Sequence, residues 1–152
     1  MQRHKGIFNE FKKLLKDNFA EKLIAKIEDE DEFLEIQGSP FWLMKDTNEL
    51  IVGYGVNHTH FSDDFNKLDN GINLIADLLT NRIKTTNYIK GNYVYKSIVE
   101  IEFPDSTTKI LGKSTILIHP FWRKKKIETT IEESLIEKHK IQNQLNLIMQ
   151  IK

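Results

Sequence analysis

Cysteine is absent from the 152 residues of this chain. The protein can therefore form no disulfide, no thiolate metal site and no cysteine nucleophile. Long apolar runs are missing too: no stretch approaches the ~20 apolar residues that cross a bilayer, and no signal peptide is expected. A chain without cysteine is compatible with any redox compartment, so the expected cytoplasmic location rests on the missing targeting and spanning segments.

Net charge is also lacking, because 22 Lys and Arg balance 22 Asp and Glu. No overall field therefore favours nucleic acid or an anionic membrane over other partners. The apolar fraction of 39% and the charged fraction of 29% are ordinary for a soluble globular protein. At this length we expect a single domain, residues 1–152.

The spacing of apolar residues predicts helices near both ends and in the middle of the chain. Steps of three and four residues predict a first helix over residues 6–28. A second helix is predicted from an N-cap at Asn70 to about residue 85. Thr129 and Glu132 have the spacing of a capping box, which predicts a third helix that runs from there towards the C-terminus.

Alternating apolar residues predict strands between these helices. They cover residues 33–37 and 41–45, a stretch from Leu50 that stays extended to residue 60, and a hairpin of residues 93–103 with 109–119. The order α-β-β-β-α-β-β-α predicts an α+β fold with an antiparallel sheet of about five strands. Gly53 and Gly55 leave one face of the third strand bare, and a helix packed across them is the favoured explanation.

His58 and His60 are the most distinctive pair in the chain. Residues i and i+2 of a strand project to the same side, so both imidazoles could hold one metal ion. Asp63, Asp64 or His119 could complete the set of ligands, and zinc suits imidazole. Two histidines hydrogen-bonded to Asp63 and to the loop backbone would give the same sequence, so a purely structural role stays open.

The same histidines could act as acid and base, since imidazole titrates near neutral pH. A phosphodiesterase-like pair would need a second His-x-Ser or His-x-Thr element, and none is present. The nucleophile elbow, the phosphate-binding loop and the dinucleotide fingerprint are absent as well. A small hydrolase is therefore an alternative to a non-enzymatic function.

Two short charged runs are candidate contact surfaces. The acidic residues 28–32 are expected in solvent, with contact to a cationic partner as the alternative. Arg123 to Lys126 follow Phe121 and Trp122, a combination that could bind phosphates and stack on bases. Because the run is short, a solvated loop is favoured and nucleic acid is not an expected partner. Docking on an acidic protein is a third possibility.

Trp42, the run Val52-Gly53-Tyr54 and the run His58-Thr59-His60-Phe61, followed by a predicted helix, resemble a pattern in certain small bacterial proteins. Those are immunity proteins encoded beside polymorphic toxins. The resemblance covers residues 42–83. It implies a protein that binds and blocks a toxin rather than an enzyme, and it assigns no role to the two histidines.

We therefore expect a non-enzymatic protein-binding domain, such as an immunity protein that neutralises a bacterial toxin, with no cofactor and no membrane partner. The alternative is a metal-binding protein or small hydrolase that uses His58 and His60, with His119 as a third ligand and zinc as the metal. The expected contact residues are Trp42, Tyr54, His58, His60, Asp63 and Asp64.

Overall fold

The computed structural model describes residues 2–152, which divide into two compact units. The helical unit comprises residues 2–80 and 136–152, and the strand unit comprises residues 81–135. The helices are α1 (Arg3–Phe19), α2 (Leu68–Thr80) and α3 (Lys138–Met149). The strands are β1 (Leu23–Glu28), β2 (Asp31–Ile36), β3 (Phe41–Lys45), β4 (Leu50–Tyr54), β5 (Asn57–Phe61), β6 (Arg82–Lys90), β7 (Tyr93–Glu102), β8 (Thr108–Thr115) and β9 (Lys125–Glu132). The predicted α+β class and the antiparallel pairing are confirmed, with more strands than expected and in two sheets.

The helical unit contains a five-stranded sheet whose strands follow chain order, β1 to β5. Leu34, Leu43 and Val52 are aligned across β2, β3 and β4, and all three are buried. Helix α1 contacts β3, and α2 contacts β4, so this is the helix-facing side of the sheet. Complete burial of a large apolar side chain stabilises a fold by about 1.5–3 kcal/mol. The core of the unit therefore lies between this side of the sheet and the helices.

The first helix ends earlier than predicted. It stops at Phe19, Ala20 has a positive φ of 47°, and β1 begins at Leu23. Leu23 and Ile27 continue the four-residue apolar stripe of the helix, but residues four apart also share one face of a strand. The prediction of a helix to residue 28 is wrong because a spacing of four does not distinguish the two structures.

The strand predicted from Leu50 to residue 60 is wrong in its middle, where the chain turns. Gly55 has a φ of 60°, the left-handed conformation that glycine adopts without steric penalty. Tyr54 lies opposite Asn57 in the register, so Gly55 and Val56 form a two-residue hairpin between β4 and β5. Val56, expected on a strand face, is 92% exposed in this turn.

The strand unit is a four-stranded antiparallel sheet in the order β8-β7-β6-β9. The predicted hairpin of residues 93–103 with 109–119 is confirmed as β7 with β8, but β8 ends at Thr115, so residues 116–119 lie in the loop that follows and not in a strand. The second helix was predicted to reach residue 85, whereas Ile83 lies in β6. The third helix was predicted from Thr129, which instead pairs with Thr86 across β9 and β6. Threonine and isoleucine favour extended backbone, and this preference outweighs the capping-box spacing.

Across residues 2–152, no helix combines the length and the apolar character needed to cross a membrane.

Candidate functional site

The outer side of the five-stranded sheet, opposite the helix-facing side, presents side chains in rows that cross the strands. One row, from β2 to β5, contains Glu35, Trp42, Gly53 and His58, and the next contains Phe33, Met44, Ile51 and His60. Neighbouring strands are about 4.8 Å apart, so each row brings residues that are distant in sequence into contact.

Trp42 lies across Gly53. A Cβ atom at Gly53 would overlap the Cε2, Cζ2 and Nε1 atoms of the indole, so glycine alone leaves the space that this side chain occupies. The indole Nε1 donates a hydrogen bond of 2.9 Å to the carbonyl oxygen of Gly55. The expectation that a helix packs across the two glycines is therefore wrong. Gly53 accommodates Trp42, and Gly55 forms a turn.

Further rings extend from Trp42 in both directions along the sheet. The ring centroid of Trp42 is 5.5 Å from that of Phe33 and 5.8 Å from that of His58. The imidazole of His58 is in turn 5.3 Å from that of His60. Trp42 and His58 come from the first of the two rows, and Phe33 and His60 come from the second. We call these four residues together the ring row. It forms one continuous surface from β2 to β5.

The two histidines lie side by side, as predicted, although they do so on β5 rather than at the end of a long strand. His60 Nδ1 is 2.7 Å from the Oε1 atom of Glu49, and His58 Nδ1 is 3.4 Å from the carbonyl oxygen of Val56. The carboxylate partner of His60 is thus Glu49 rather than Asp63. A carboxylate at one imidazole nitrogen orients the ring and determines which nitrogen carries the proton.

The other predicted contact residues lie in two different places. Asp63 and Asp64 are exposed and line a pocket of 300 Å³ together with Glu49, which also bonds to His60. Tyr54 is only 8% exposed and lies on the helix-facing side, two residues after Val52. The structure therefore brings Trp42, His58 and His60 together, leaves the two aspartates beside them, and places Tyr54 in the core.

His119, the candidate third metal ligand, belongs to the strand unit. Its ring stacks on Tyr95 with 4.6 Å between the centroids, and its Nδ1 is 3.0 Å from the carbonyl oxygen of Ile116. Within the described residues 2–152, no group of three or more His, Cys, Asp or Glu side chains is placed to hold a metal ion. Zinc binding by His58 and His60 stays a prediction.

The acidic run of residues 28–32 forms the hairpin between β1 and β2. Asp29 and Glu30 occupy the turn and are exposed, as expected. Glu32 is 8% exposed instead, where it bonds to Lys12 and lies 3.8 Å from Lys45. A carboxylate removed from water requires such partners, since its desolvation costs several kcal/mol. The expectation of a fully solvated run is wrong at Glu32.

Charge is divided unevenly between the two units. The strand unit has ten Lys and Arg against six Asp and Glu, a net charge of +4. The helical unit has twelve against sixteen, a net charge of −4. The neutral total therefore conceals two regions of opposite sign, and the expectation that no field favours a charged partner does not apply to either unit alone.

Sequence reasoning missed Phe33 and Glu49 as members of the site. Both are ordinary residues of alternating strands, and nothing in their local pattern distinguishes them. They join the site because the register places Phe33 in the same row as His60, three strands away, and because Glu49 immediately precedes β4, the strand that pairs with β5. Such neighbours follow from strand pairing rather than from sequence spacing.

Comparison with known proteins finds no matching family model, no matching curated protein and no matching solved structure. Function is therefore inferred from the geometry of the ring row and from the charges around it.

Proposed function

We propose that this chain is a non-enzymatic protein-binding domain that neutralises a cationic toxin, with the ring row at the centre of its contact surface. The observation that carries the proposal is the indole of Trp42, half-buried and held in one position on the outer side of the sheet. The residues that resemble those of immunity proteins include Trp42, Gly53, His58 and His60, and all four belong to this surface or support it.

The ring row has the properties of a protein-binding hot spot. Tryptophan is strongly enriched among the few interface residues that contribute most of the binding energy. Ordering a free side chain at an interface costs about 0.5–1.5 kcal/mol. Because Gly53 and the hydrogen bond to Gly55 already hold Trp42 in place, most of this cost is met during folding. The neighbouring rings of Phe33 and His58 extend the apolar contact area.

The charges around the ring row favour a cationic partner. Asp29 and Glu30 are exposed at the turn between the first two strands of the sheet, and Asp63 and Asp64 are exposed just after its last strand. The helical unit carries a net charge of −4. Such a field accelerates association with a partner of opposite charge. A nuclease toxin, whose nucleic-acid site is cationic, has matching electrostatics.

The test uses the protein encoded by the gene next to that of this chain. We expect that protein to arrest bacterial growth when produced alone, and we expect co-production of this chain to restore growth and to yield a stable complex. Trp42→Ala should weaken the complex by at least 30-fold, the equivalent of a hot spot worth about 2 kcal/mol. Isothermal titration calorimetry measures the affinity, and thermal unfolding of the free variant shows that it remains folded.

A charge-reversal pair separates the role of the acidic hairpin from that of total charge. Glu28→Lys with Glu30→Lys should slow association, and more so at low salt, because both side chains are exposed at the β1–β2 hairpin, whose second strand carries Phe33 of the ring row. Glu10→Lys with Glu21→Lys is the matched control, with the same change in charge at exposed positions in α1 and just after it. A neighbouring protein without toxicity, or an unchanged affinity for Trp42→Ala, contradicts the proposal.

The contact between Glu49 and His60 favours a second candidate, a metal-binding protein or small hydrolase. A carboxylate at Nδ1 orients an imidazole so that its other nitrogen can bind a metal or transfer a proton. Protein purified without a histidine tag should then contain about one metal equivalent, which the double variant His58→Ala, His60→Ala loses. Glu49→Gln should weaken metal affinity by about 10–100-fold. Metal-free protein that gains no thermal stability from added zinc removes this candidate.

A further inference from the structure

The loop that joins β8 to β9 presents a group of large apolar side chains to solvent. Leu117 is 89% exposed and Ile118 is 93% exposed. Phe121 is 73% exposed and Trp122 is 71% exposed. We call these four residues, together with the half-exposed Ile116, the apolar tip. Monomeric soluble proteins rarely leave so many large apolar side chains together in water, and a patch of this kind with a polar rim marks an interaction site.

The apolar tip is held in place by the sheet below it. The backbone N–H of Ile116 donates to the carbonyl oxygen of Tyr95 at 2.7 Å, and the His119 ring stacks on the Tyr95 ring. The backbone N–H of Arg123 donates to the carbonyl oxygen of Pro120 at 2.9 Å. A pocket of 640 Å³ lies within this loop, lined mainly by apolar residues that include Tyr93. Hydrogen bonds and ring stacking therefore hold the exposed residues in place.

Basic side chains surround the apolar tip. Lys90 Nζ is 3.4 Å from the carbonyl oxygen of Phe121 and 5.1 Å from the centre of the Tyr95 ring. We call the following residues the basic rim: Lys90, Lys96, Arg123, Lys124, Lys125 and Lys126. The segments 84–99 and 109–127 contain nine Lys and Arg and no Asp or Glu. The carboxylate of Glu128 pairs with Lys126 at 2.8 Å, which raises the pKa of that lysine and partly offsets its charge.

The combination of exposed aliphatic chains with cations matches the surface of an anionic bilayer. Leucine, isoleucine and phenylalanine enter the boundary between headgroups and acyl chains, and tryptophan prefers that boundary. Lys and Arg bind the lipid phosphates while their alkyl stems lie along apolar surface. The expectation of no membrane partner rested on the lack of a spanning segment and on the zero net charge of the whole chain. A loop that enters only the headgroup region needs no spanning segment, and the strand unit that carries it has a net charge of +4.

Single-stranded nucleic acid, the alternative anionic partner, fits these side chains less well. Its bases stack on open aromatic faces. Tyr95 is already stacked on His119, and Tyr88 has the ammonium groups of Lys96 and Lys125 at 5.0 and 5.3 Å from its ring centre. The most exposed residues of the tip, Leu117 and Ile118, are aliphatic and provide no stacking face.

We propose that the apolar tip docks on an anionic lipid bilayer, with Leu117, Ile118 and Trp122 in the headgroup region and the basic rim on the lipid phosphates. This surface belongs to the strand unit and shares no residue with the ring row. Its test is therefore independent of the proposed toxin-binding function.

The first experiment measures flotation of the full chain with vesicles of phosphatidylcholine, alone or mixed with phosphatidylglycerol. Binding is expected only to the mixed vesicles and should decrease as salt is added. Leu117→Ser with Ile118→Ser should weaken binding at least tenfold while every charge is kept. Both side chains are almost fully exposed, so these substitutions leave the fold intact, which thermal unfolding verifies.

A matched pair of variants then tests the basic rim. Lys124→Gln with Lys125→Gln should weaken binding roughly 30-fold, the effect of two basic residues near an anionic surface. Lys84→Gln with Lys109→Gln removes the same charge at the opposite end of the sheet and should change binding less than about threefold. An equal loss of vesicle binding in the two pairs of variants would show that binding responds only to total charge. It would overturn the proposal that the apolar tip and the basic rim face the bilayer.

Tryptophan fluorescence provides a readout of insertion. The chain has two tryptophans, so Trp122 is the single reporter in a Trp42→Phe background. Its emission should shift to shorter wavelength on the mixed vesicles and should be quenched by brominated lipid. An unshifted emission, no binding at low salt, or equal binding to both vesicle types overturns the proposal. It is also overturned if a labelled single-stranded oligonucleotide binds while vesicles do not, or if sedimentation shows that the tip instead joins two copies of the chain.

Discussion

The two units of this protein differ in where their apolar side chains lie. In the helical unit, residues such as Phe8, Phe11 and Leu43 are fully buried between the sheet and the helices. Among the described residues, Ile83 and Ile101 are the only buried apolar residues of the strand unit. The helical unit thus has a core that leaves its outer surface free for a fixed ring row. The strand unit has several large apolar residues in solvent, and we propose that a bilayer surface covers those of the apolar tip.

The largest expected change in the free energy of unfolding comes from a comparison of one phenylalanine in each unit. Phe11→Ala should lower the free energy of unfolding by about 3–5 kcal/mol, because it removes a fully buried ring and leaves a cavity. Phe121→Ala should change it by less than about 0.5 kcal/mol, because that ring is 73% exposed. Urea unfolding of both variants measures the difference. Similar losses would show that the exposed tip supports the fold as much as the core does.

A smaller effect is expected at the outer side of the helical sheet. Gly53→Ala should destabilise the protein by about 1–3 kcal/mol, because the new methyl group and the indole of Trp42 cannot occupy the same space. In a Trp42→Ala background the same substitution should cost much less, so a double-mutant cycle isolates the contact. Additive losses would mean that Gly53 is required for another reason.

The smallest effect concerns a turn of the strand unit. Asp105 follows β7, and the hydroxyl of Thr107, with its backbone N–H second, lowers the pKa of the Asp105 carboxyl. Because the pKa of this carboxyl is lower in the folded than in the unfolded chain, its ionised form stabilises the fold at pH values above the unfolded pKa of about 3.9. This stabilisation is lost as the pH falls through the folded pKa. Thr107→Val should therefore raise the pKa of Asp105, measured by carboxyl carbon NMR. Thr108→Val, which lacks this contact, should leave it unchanged, and equal shifts in both variants would contradict the assignment.

Strong local patterns were sufficient to predict part of the fold. The alternating apolar residues of 93–103 and 109–119 predicted the β7–β8 hairpin as far as Thr115, and the bounds of β3 were predicted correctly. Errors occurred where one pattern fits two structures. Leu23 with Ile27, and Ile83 with Leu79, have the spacing of four that both helices and strands allow. The positive φ at Ala20 ends α1, and no residue preference predicts a left-handed alanine at that position.

The candidate site was predicted only in part, because the sequence reveals relations within one strand but not those between strands. His58 and His60 were expected side by side because alternate residues of a strand share a face, a relation that holds within one strand whatever its neighbours are. Trp42 over Gly53 and Glu49 beside His60 depend on which residues face each other across strands. A shift of one residue in register would exchange those neighbours.

The sequence alone determined which covalent chemistry is excluded, which residues alternate, and where the rings and charges occur along the chain. These properties depend on composition and on spacing within one element. Only the tertiary structure decided that four rings form one surface, that Glu32 is buried, and that the cations collect around an exposed apolar loop. Pairing between strands brings distant residues together, and it is governed by turns and packing that act across the whole unit.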